Sequence, residues 1–127
     1  MTDVLNTLSD EQYINLETFK KNGEGVKTPV WFIKEDDRVF VITRSKTGKV
    51  KRLKNNPKVR ICPCSFNGTP KGEWVSGTAT KVEGDEAKRA ISLRNKKYGF
   101  KAKLAGFLLK SKGDLVVYSL KLDHIDS

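Results

Sequence analysis

Histidine and cysteine are nearly missing from this sequence. Its one histidine, His124, lies three residues from the end, and its two cysteines, Cys62 and Cys64, are separated only by Pro63. Zinc sites need three or four protein ligands, and nucleophilic serine or cysteine enzymes use a histidine base, so neither chemistry is expected. Cysteines two positions apart make a poor disulfide, which favours a reducing compartment and predicts a cytoplasmic protein.

Long apolar runs and a glycine-rich nucleotide motif are also absent. No segment approaches the roughly 18 apolar residues of a membrane-spanning helix, so none is expected. The opening residues, MTDVLNTLSDEQ, have no basic region followed by a long apolar core, so we do not expect a secretory signal. No G-x-G-x-x-G motif opens a helix, which argues against a Rossmann dinucleotide site.

Acidic residues are missing from two long stretches of the chain. Residues 44–72 contain nine lysines or arginines and no acid, and residues 87–113 contain nine more, again with no acid. The formal net charge is +10. Such clustering favours an anionic partner, which could be nucleic acid, an anionic membrane or a polyanionic small molecule; a solvated basic surface is the alternative.

Length and hydrophobic pattern predict one small, mainly β domain. A chain of 127 residues has the size of a single domain, so we expect one domain over 1–127. Alternating apolar and polar residues, bounded by glycine and proline turns, predict six strands, over 13–20, 26–33, 38–43, 58–66, 73–82 and 114–123. Short strands joined mostly by hairpins favour an antiparallel β-barrel with a few helices inserted.

Helices are predicted over 3–8, 49–55, 84–99 and 100–110. The third has acids in its first turn, cations in its last and Gly99 behind it, as helix termini favour. One face of the fourth is apolar, formed by Phe100, Leu104, Phe107 and Leu108. We expect this face to pack on the barrel or on a partner subunit rather than on a membrane.

The segment 41–56, VITRSKTGKVKRLKNN, joins a strand end, a hydroxyl-rich loop and the start of a basic helix. The strand ends at Thr43, the loop contains Ser45 and Thr47, and Lys49 falls in the first helical turn. Helix N-termini present free N–H groups and a positive partial charge, and hydroxyl and ammonium groups add hydrogen bonds. The pattern predicts a phosphate site, with a solvated charged helix as the alternative.

The tryptophans and cysteines admit two interpretations each. In TPVWF, residues 28–32, Pro29 interrupts the strand ladder and Trp31 offers a flat surface to a heterocycle, whereas core or dimer-interface packing is the alternative. Trp74 admits the same pair. No histidine or acid lies near Cys62 and Cys64 to activate a thiol, so we expect small core residues rather than a redox pair.

The stretch LETFKKNGEGVKTPVWFIKEDDRVFVITRSKTGKVKRLKNNPKVRICP, followed by GEWVSGTATKV, resembles the pyridoxamine-phosphate-oxidase-like split β-barrel flavoproteins. Within that superfamily it is similar to the flavin/deazaflavin oxidoreductases of the B type. The similarity runs from about Leu16 to Val82 and continues through KKYGF and the late strand. It implies a six-stranded antiparallel split β-barrel of the FMN-binding type, and a homodimer with two cofactor sites at the subunit interface.

The resemblance also implies a cofactor and the residues that bind it. The cofactor would be coenzyme F420 or FMN, and the charge of +10 favours the deazaflavin, whose polyglutamate tail makes it the more anionic. Its ring would lie on Thr28, Pro29, Val30 and Trp31. Its phosphate would be held by Thr43, Ser45, Lys46, Thr47 and Lys49. Ile61, Cys62 and Pro63 would lie near the ring, and Trp74 would approach from the other subunit.

The function implied by the resemblance is hydride transfer. We expect an F420- or FMN-dependent enzyme that reduces an electron-poor double bond of a small enone, quinone or tetrapyrrole-like substrate. The proton would come from solvent, from the surroundings of the bound substrate or from Tyr98. The alternative is a flavin or deazaflavin carrier without turnover. Sparse aromatics near 44–60 disfavour a nucleic-acid-binding barrel, and the lack of a suitably placed histidine disfavours haem handling. Pyridoxal phosphate synthesis is not expected, because the chain ends before the long C-terminal segment that binds the substrate phosphate.

Overall fold

The computed structural model describes residues 8, 11–35, 38–108 and 110–123, except for the side chains of 106–110. Of the helix predicted over 3–8, all but Leu8 lies outside the described residues, as does His124. The side chains of Phe107 and Leu108, half of the apolar face predicted over 100–110, are likewise outside them.

Within the described residues, seven antiparallel strands form one sheet. They are β1 (Tyr13–Phe19), β2 (Gly25–Val30), β3 (Ile33–Glu35), β4 (Arg38–Arg44), β5 (Lys58–Cys64), β6 (Val75–Val82) and β7 (Leu115–Leu122). Their order across the sheet is β2-β1-β5-β6-β7-β4-β3. The register is set by pairs such as Leu16 with Ile61 and Val41 with Tyr118.

The predicted strand 26–33 is divided in two, so the prediction of six strands is wrong by one. β2 ends at Val30 and β3 begins at Ile33, and the two lie at opposite edges of the sheet. Trp31 and Phe32 connect them, and the Phe32 N–H donates to the Tyr98 hydroxyl at 3.1 Å instead of to a neighbouring strand. Pro29, which has no N–H to donate to a ladder, lies in an edge strand, as its type requires.

In the described part of the chain, three α-helices are inserted after the strands β4 and β6. α1 (Gly48–Asn55) follows β4, α2 (Gly84–Tyr98) follows β6, and α3 (Phe100–Leu108) precedes a 3-10 turn at Lys110–Lys112. The helices predicted over 49–55 and 84–99 are confirmed to within one residue at each end. α2 has acids in its first turn and lysines in its last, and Gly99 ends it with a φ of 55°. Within the described ranges, no helix has both the length and the apolar character needed to cross a membrane.

Two apolar clusters hold these elements together. The larger is enclosed by inward-facing residues of the sheet and closed by Val50 and Leu53 of α1. The smaller lies between the sheet and α2, where Ile42 and Val117 meet Ala90 and Tyr98. Burying each large apolar side chain contributes roughly 1.5–3 kcal/mol, so the clusters fix where the end of β4, α1 and α2 come together.

Candidate active site

A cavity of about 490 Å³ opens where β4 passes into α1 and where the end of β2 approaches them. This volume is typical of small-molecule sites. From β2 and the residue after it, Pro29, Val30 and Trp31 line the cavity. From the β4–α1 junction come Ile42, Thr43, Arg44, Lys46, Thr47, Gly48 and Lys49, and from elsewhere come Tyr13, Arg94, Ala105, Lys112 and Leu115.

The cavity lining is strongly cationic. Five lining side chains are positively charged, and no lining residue in the described part of the chain is acidic; the five are Arg44, Lys46, Lys49, Arg94 and Lys112. Burial, and then the charge of Arg52, lowers the pKa of the Lys49 ammonium. Like charges gathered around one cavity repel each other, and Arg94 and Lys49 are also withdrawn from water, so this lining favours an anionic ligand.

Arg94 is the most deeply buried of these cations. Only 8% of its surface is exposed, and its guanidinium donates to Oδ1 of the neighbouring Asn95 at 3.0 and 3.3 Å. Burial, and then the charge of Arg44, lowers its pKa. No carboxylate among the described residues forms an ion pair with it. Burying a guanidinium without an acid partner costs free energy, and a bound anion would offset that cost.

The N-terminus of α1 opens on the same cavity. Thr47, Gly48 and Lys49 all line it. Thr47 makes no side-chain cap to the first turn, because its Oγ1 donates to the Arg44 carbonyl at 2.9 Å. The first N–H groups of a helix have no intrahelical acceptor, so this turn adds main-chain donors to the cationic side chains.

Trp31 supplies an aromatic wall, and Tyr98 supports it from behind. The two rings stack with centroids 4.3 Å apart and an angle of 10° between their planes. The Tyr98 hydroxyl donates to the Gln12 carbonyl at 2.7 Å and accepts from the Phe32 N–H. Burial raises the pKa of Tyr98 to about 12. Because this hydroxyl is committed to the backbone, the geometry favours a supporting role for Tyr98 over that of a proton source.

Of the thirteen residues predicted to lie at the cofactor, seven line the cavity together: Pro29, Val30, Trp31, Thr43, Lys46, Thr47 and Lys49. They come from two segments that are far apart in the sheet order and that meet at this cavity. Their contact with a cofactor stays a prediction.

Thr28 and Ser45 adjoin the cavity along the chain but do not line it. Thr28 pairs with Leu16 in the β1–β2 ladder. Ser45 donates through its N–H to the Asp114 carbonyl at 2.8 Å, and its Oγ accepts from the Asp114 N–H at 3.1 Å. Its hydroxyl therefore ties the loop to the segment before β7.

Ile61 and Cys62 lie inside the protein rather than at the cavity. Ile61 belongs to the larger apolar cluster, and the Asn15 side-chain amide donates to the Cys62 sulfur at 3.8 Å. Burial raises the pKa of Cys62 and raises that of Cys64 to about 11. Both are therefore thiols of low reactivity, consistent with the expectation of small core residues.

Trp74 lies next to β6, away from the cavity lining. Its ring is flanked by the Lys27 ammonium, 5.1 Å from the ring centroid, and by the Arg60 guanidinium, 4.8 Å from it. Within one chain, therefore, Trp74 forms cation–π contacts and does not meet Trp31. A role for Trp74 at the cavity depends on a second subunit.

Eight lining residues were not predicted from the sequence, and four of them have polar or charged side chains: Tyr13, Arg44, Arg94 and Lys112. Arg44 stands inside the predicted phosphate loop, so its position alone could have identified it. Arg94 and Lys112 belong to the second acid-free stretch, which was the available signal for them. In the ranges that the structure covers, no group of histidine, cysteine or acidic residues could hold a metal ion.

Solved structures with the same fold include two haem proteins and a flavoprotein. HutZ, the haem storage protein of Vibrio cholerae, superposes with a TM-score of 0.73 at 16% identity, covering 98% of this chain and 92% of that one. A haem binding protein of Mycobacterium smegmatis superposes with a TM-score of 0.67 at 17% identity, covering 94% of this chain and 50% of that one. An FAD-binding protein of Mesorhizobium loti superposes with a TM-score of 0.64 at 14% identity, covering 95% of this chain and 88% of that one.

At these identities the likeness shows the fold alone, and it confirms the predicted mainly β, split-barrel class. None of the curated proteins compared with the sequence matches it. The model of one protein family, described as pyridoxamine 5'-phosphate oxidase, matches residues 1–127, which is the whole chain. On this match, and with the fold that accompanies it, the chain belongs to the pyridoxamine 5'-phosphate oxidase family.

Proposed function

We propose that this protein is a deazaflavin- or flavin-dependent oxidoreductase that transfers a hydride to an electron-poor double bond of a small organic substrate. One observation carries the proposal: a cationic strand–helix junction without acids and the aromatic wall of Trp31 line the same cavity. Membership of the family and the likeness to an FAD-binding protein support a cofactor of the flavin type.

The residues present fit a phosphorylated cofactor. Lys46, Lys49 and the N-terminus of α1 would hold its phosphate, and Arg44 would add a second charge from the end of β4. Hydrogen bonds between such donors and a phosphate are charge-assisted and among the stronger ones in proteins. The Thr47 hydroxyl would not donate to the phosphate, because its proton is directed to the Arg44 carbonyl.

The other end of the cavity fits a flat ring. Pro29, Val30 and Trp31 would form the surface on which it lies, and the stacking of Tyr98 on Trp31 keeps that surface in place. A bound cofactor of this type supplies the hydride, and the chain itself orients the ring and excludes water. With the Tyr98 hydroxyl bonded to the backbone, solvent is the proton source that the proposal uses.

Charge favours coenzyme F420 over FMN as the cofactor. The deazaflavin carries several carboxylates beyond its phosphodiester, and the chain carries a net charge of +10. A single surface pair adds only about 1 kcal/mol, but several pairs add together and speed association. FMN is the alternative cofactor.

The proposal includes a homodimer with a site at each interface. The resemblance stated above implies the dimer, and Trp74, which is half-buried among cations and outside the cavity lining of its own chain, would then reach the cofactor from the second subunit. Light scattering during gel filtration tests it: a mass near twice 14.3 kDa is expected. A monomer would remove Trp74 from the proposed site.

Titration of the purified protein with FMN and, separately, with the deazaflavin, followed by ring fluorescence, tests cofactor binding. We expect Lys49→Ala to weaken whichever binds by about tenfold, as loss of one charge-assisted hydrogen bond does. Lys88→Ala is the matched control, because Lys88 is an exposed lysine of α2 outside the cavity. Equal loss in both variants, or no binding at all, contradicts the proposal.

Turnover is tested separately, with the reduced cofactor and a panel of enones and quinones. Oxidation of the cofactor that depends on substrate supports an enzyme. Tight binding without such oxidation across the panel favours the second candidate, a flavin or deazaflavin carrier.

A further inference from the structure

We propose that a second cavity, which shares a wall with the first, binds the substrate and selects molecules with an anionic group on an apolar body. The inference rests on the proposed function in one respect: the first cavity is taken to hold the cofactor. The anionic group is a carboxylate or a group of similar size and charge.

The second cavity has a volume of about 570 Å³ and lies between α2, α3 and the start of β7. Arg44, Arg94 and Leu115 line both cavities, so they form the shared wall. The rest of the second cavity is lined by Asn95, Gly99, Phe100, Ala102 and Lys103. None of the described lining residues of either cavity is acidic.

Arg94 supplies the argument for an anion. Its guanidinium is nine-tenths buried, carries five N–H donors, and bonds in the described structure only to the side-chain oxygen of Asn95. Removing a guanidinium from water is costly unless an anion compensates it. Arg44 cannot do so, because it carries the same charge and lowers the pKa of Arg94.

The cofactor phosphate leaves Arg94 to another ligand. Lys46 and Lys49, which would hold that phosphate with the α1 N-terminus, line the first cavity and not the second, whereas Arg44 lines both. Arg94 likewise lines both cavities, and Lys103 lines only the second one. An anion that enters through the second cavity therefore reaches Arg94 without competing for the α1 N-terminus.

The apolar part of the ligand is indicated by the rim of the second cavity. Phe100 is 78% exposed although it is a large apolar side chain, and Ala102 and Leu115 continue its surface inwards. An exposed phenyl ring at the mouth of a cationic cavity fits an aromatic or aliphatic acid better than a small hydrophilic anion.

A matched pair of probes tests this inference: 2-naphthoate and its neutral analogue 2-naphthamide, titrated by calorimetry with and without the cofactor. We expect wild-type protein to bind the acid at least about tenfold more tightly than the amide, as a charged hydrogen-bond partner requires. Arg94→Met should abolish that preference while amide binding stays unchanged. Arg89→Met, on the same helix but outside both cavities, should preserve the preference.

A thermal melt separates binding from a structural role. Without ligand, Arg94→Met should melt no lower than wild type, because it removes a buried charge that no acid of the described chain compensates. Should Arg94→Met fail to fold, Arg94→Lys, which keeps the charge but loses the planar fork, is the second variant. It should fold and bind naphthoate more weakly than wild type, with amide binding unchanged, whereas an unchanged naphthoate affinity would overturn the inference.

The remaining outcomes distinguish this inference from the proposed function. If Arg94→Met retains the preference for naphthoate, or if it weakens cofactor binding instead, the second cavity is not the anion site. If neither cofactor binds but naphthoate binding depends on Arg94, the proposed function fails and the anion site stands.

Discussion

Trp31 and Tyr98 stack almost parallel, 4.3 Å between ring centroids, although 67 positions separate the two residues in the sequence. Trp31 lies where the chain leaves β2 and has no strand partner, so its position depends on what packs behind it. Tyr98 packs there and also bonds to the main chain on either side, at Gln12 and Phe32. The last turn of α2 thereby determines the shape of a cavity to which Tyr98 itself does not contribute a surface.

Tyr98→Phe should destabilise the protein without removing the aromatic wall. The ring stays, but the Phe32 N–H loses its acceptor and the Gln12 carbonyl its donor, at a cost of about 1–3 kcal/mol for a buried polar group left unpaired. Urea unfolding measures the loss, and cofactor titration should change little. Tyr98→Ala, which also removes the stacking partner of Trp31, should weaken cofactor binding as well. Equal cofactor affinity in both variants would contradict a supporting role for the ring.

The buried phenol also predicts a loss of stability at high pH. The pKa of Tyr98 in the folded protein, about 12, lies above the value of 10 for an unperturbed phenol, so the native state binds its proton more tightly than the unfolded state. The contribution of the protonated phenol to the free energy of unfolding is complete below about pH 10 and is lost as the pH rises towards 12. A pKa difference of two units corresponds to about 2.7 kcal/mol.

Urea unfolding between about pH 9 and pH 12 checks this prediction against Tyr98→Phe. The variant should start from lower stability and fall less steeply, because it has no phenol to ionise at this position. Burial also raises the pKa of Tyr118, so some decline should remain in the variant. Parallel curves for the two proteins would show that Tyr98 does not titrate in this range.

The parts of the site that are local in sequence could be predicted from it. The junction from Thr43 to Lys49 was recognisable because a strand end, a hydroxyl-rich loop and a helix start follow each other directly, and the structure forms that junction. Pro29 and Trp31 were recognisable for the same reason, since proline marks an interrupted strand by its own chemistry.

The parts of the structure that depend on tertiary contacts could not be predicted from the sequence. In the sequence, Arg94 is indistinguishable from the other cations of its helix. It is buried near Arg44 only because α2 packs on the sheet. The division of the second strand depends on Tyr98, which is remote in the sequence. Ile61 and Cys62 were assigned to the ring by resemblance; the register of β5 with β1 places them in the interior of this chain, and their proximity to a cofactor stays a prediction.

Salt should weaken binding of the phosphorylated cofactor in proportion to the cations that it contacts. Raising NaCl from about 0.1 M to 1 M shortens the screening length from about 10 Å to about 3 Å, so the Kd for FMN should rise. The rise should be smaller in Lys49→Ala, which has one cation fewer. Riboflavin, which has the same ring without the phosphate, is the matched ligand, and its Kd should be nearly independent of salt. Equal salt dependence for FMN and riboflavin would place the phosphate away from the cationic junction.

The two tryptophans of the chain should differ in their effect on cofactor binding. Trp31 lines the cavity, so Trp31→Leu should weaken binding by roughly three- to tenfold, the range of an aromatic stacking contact. Trp74 forms its contacts with Lys27 and Arg60 instead, so in a monomer Trp74→Leu should leave the Kd unchanged. Both variants are titrated with the cofactor under conditions where light scattering has established whether the protein is a monomer or a dimer. A loss in Trp74→Leu that appears only in a dimer would show that Trp74 reaches the cofactor of the other subunit, whereas an unchanged affinity in a dimer would remove Trp74 from the site.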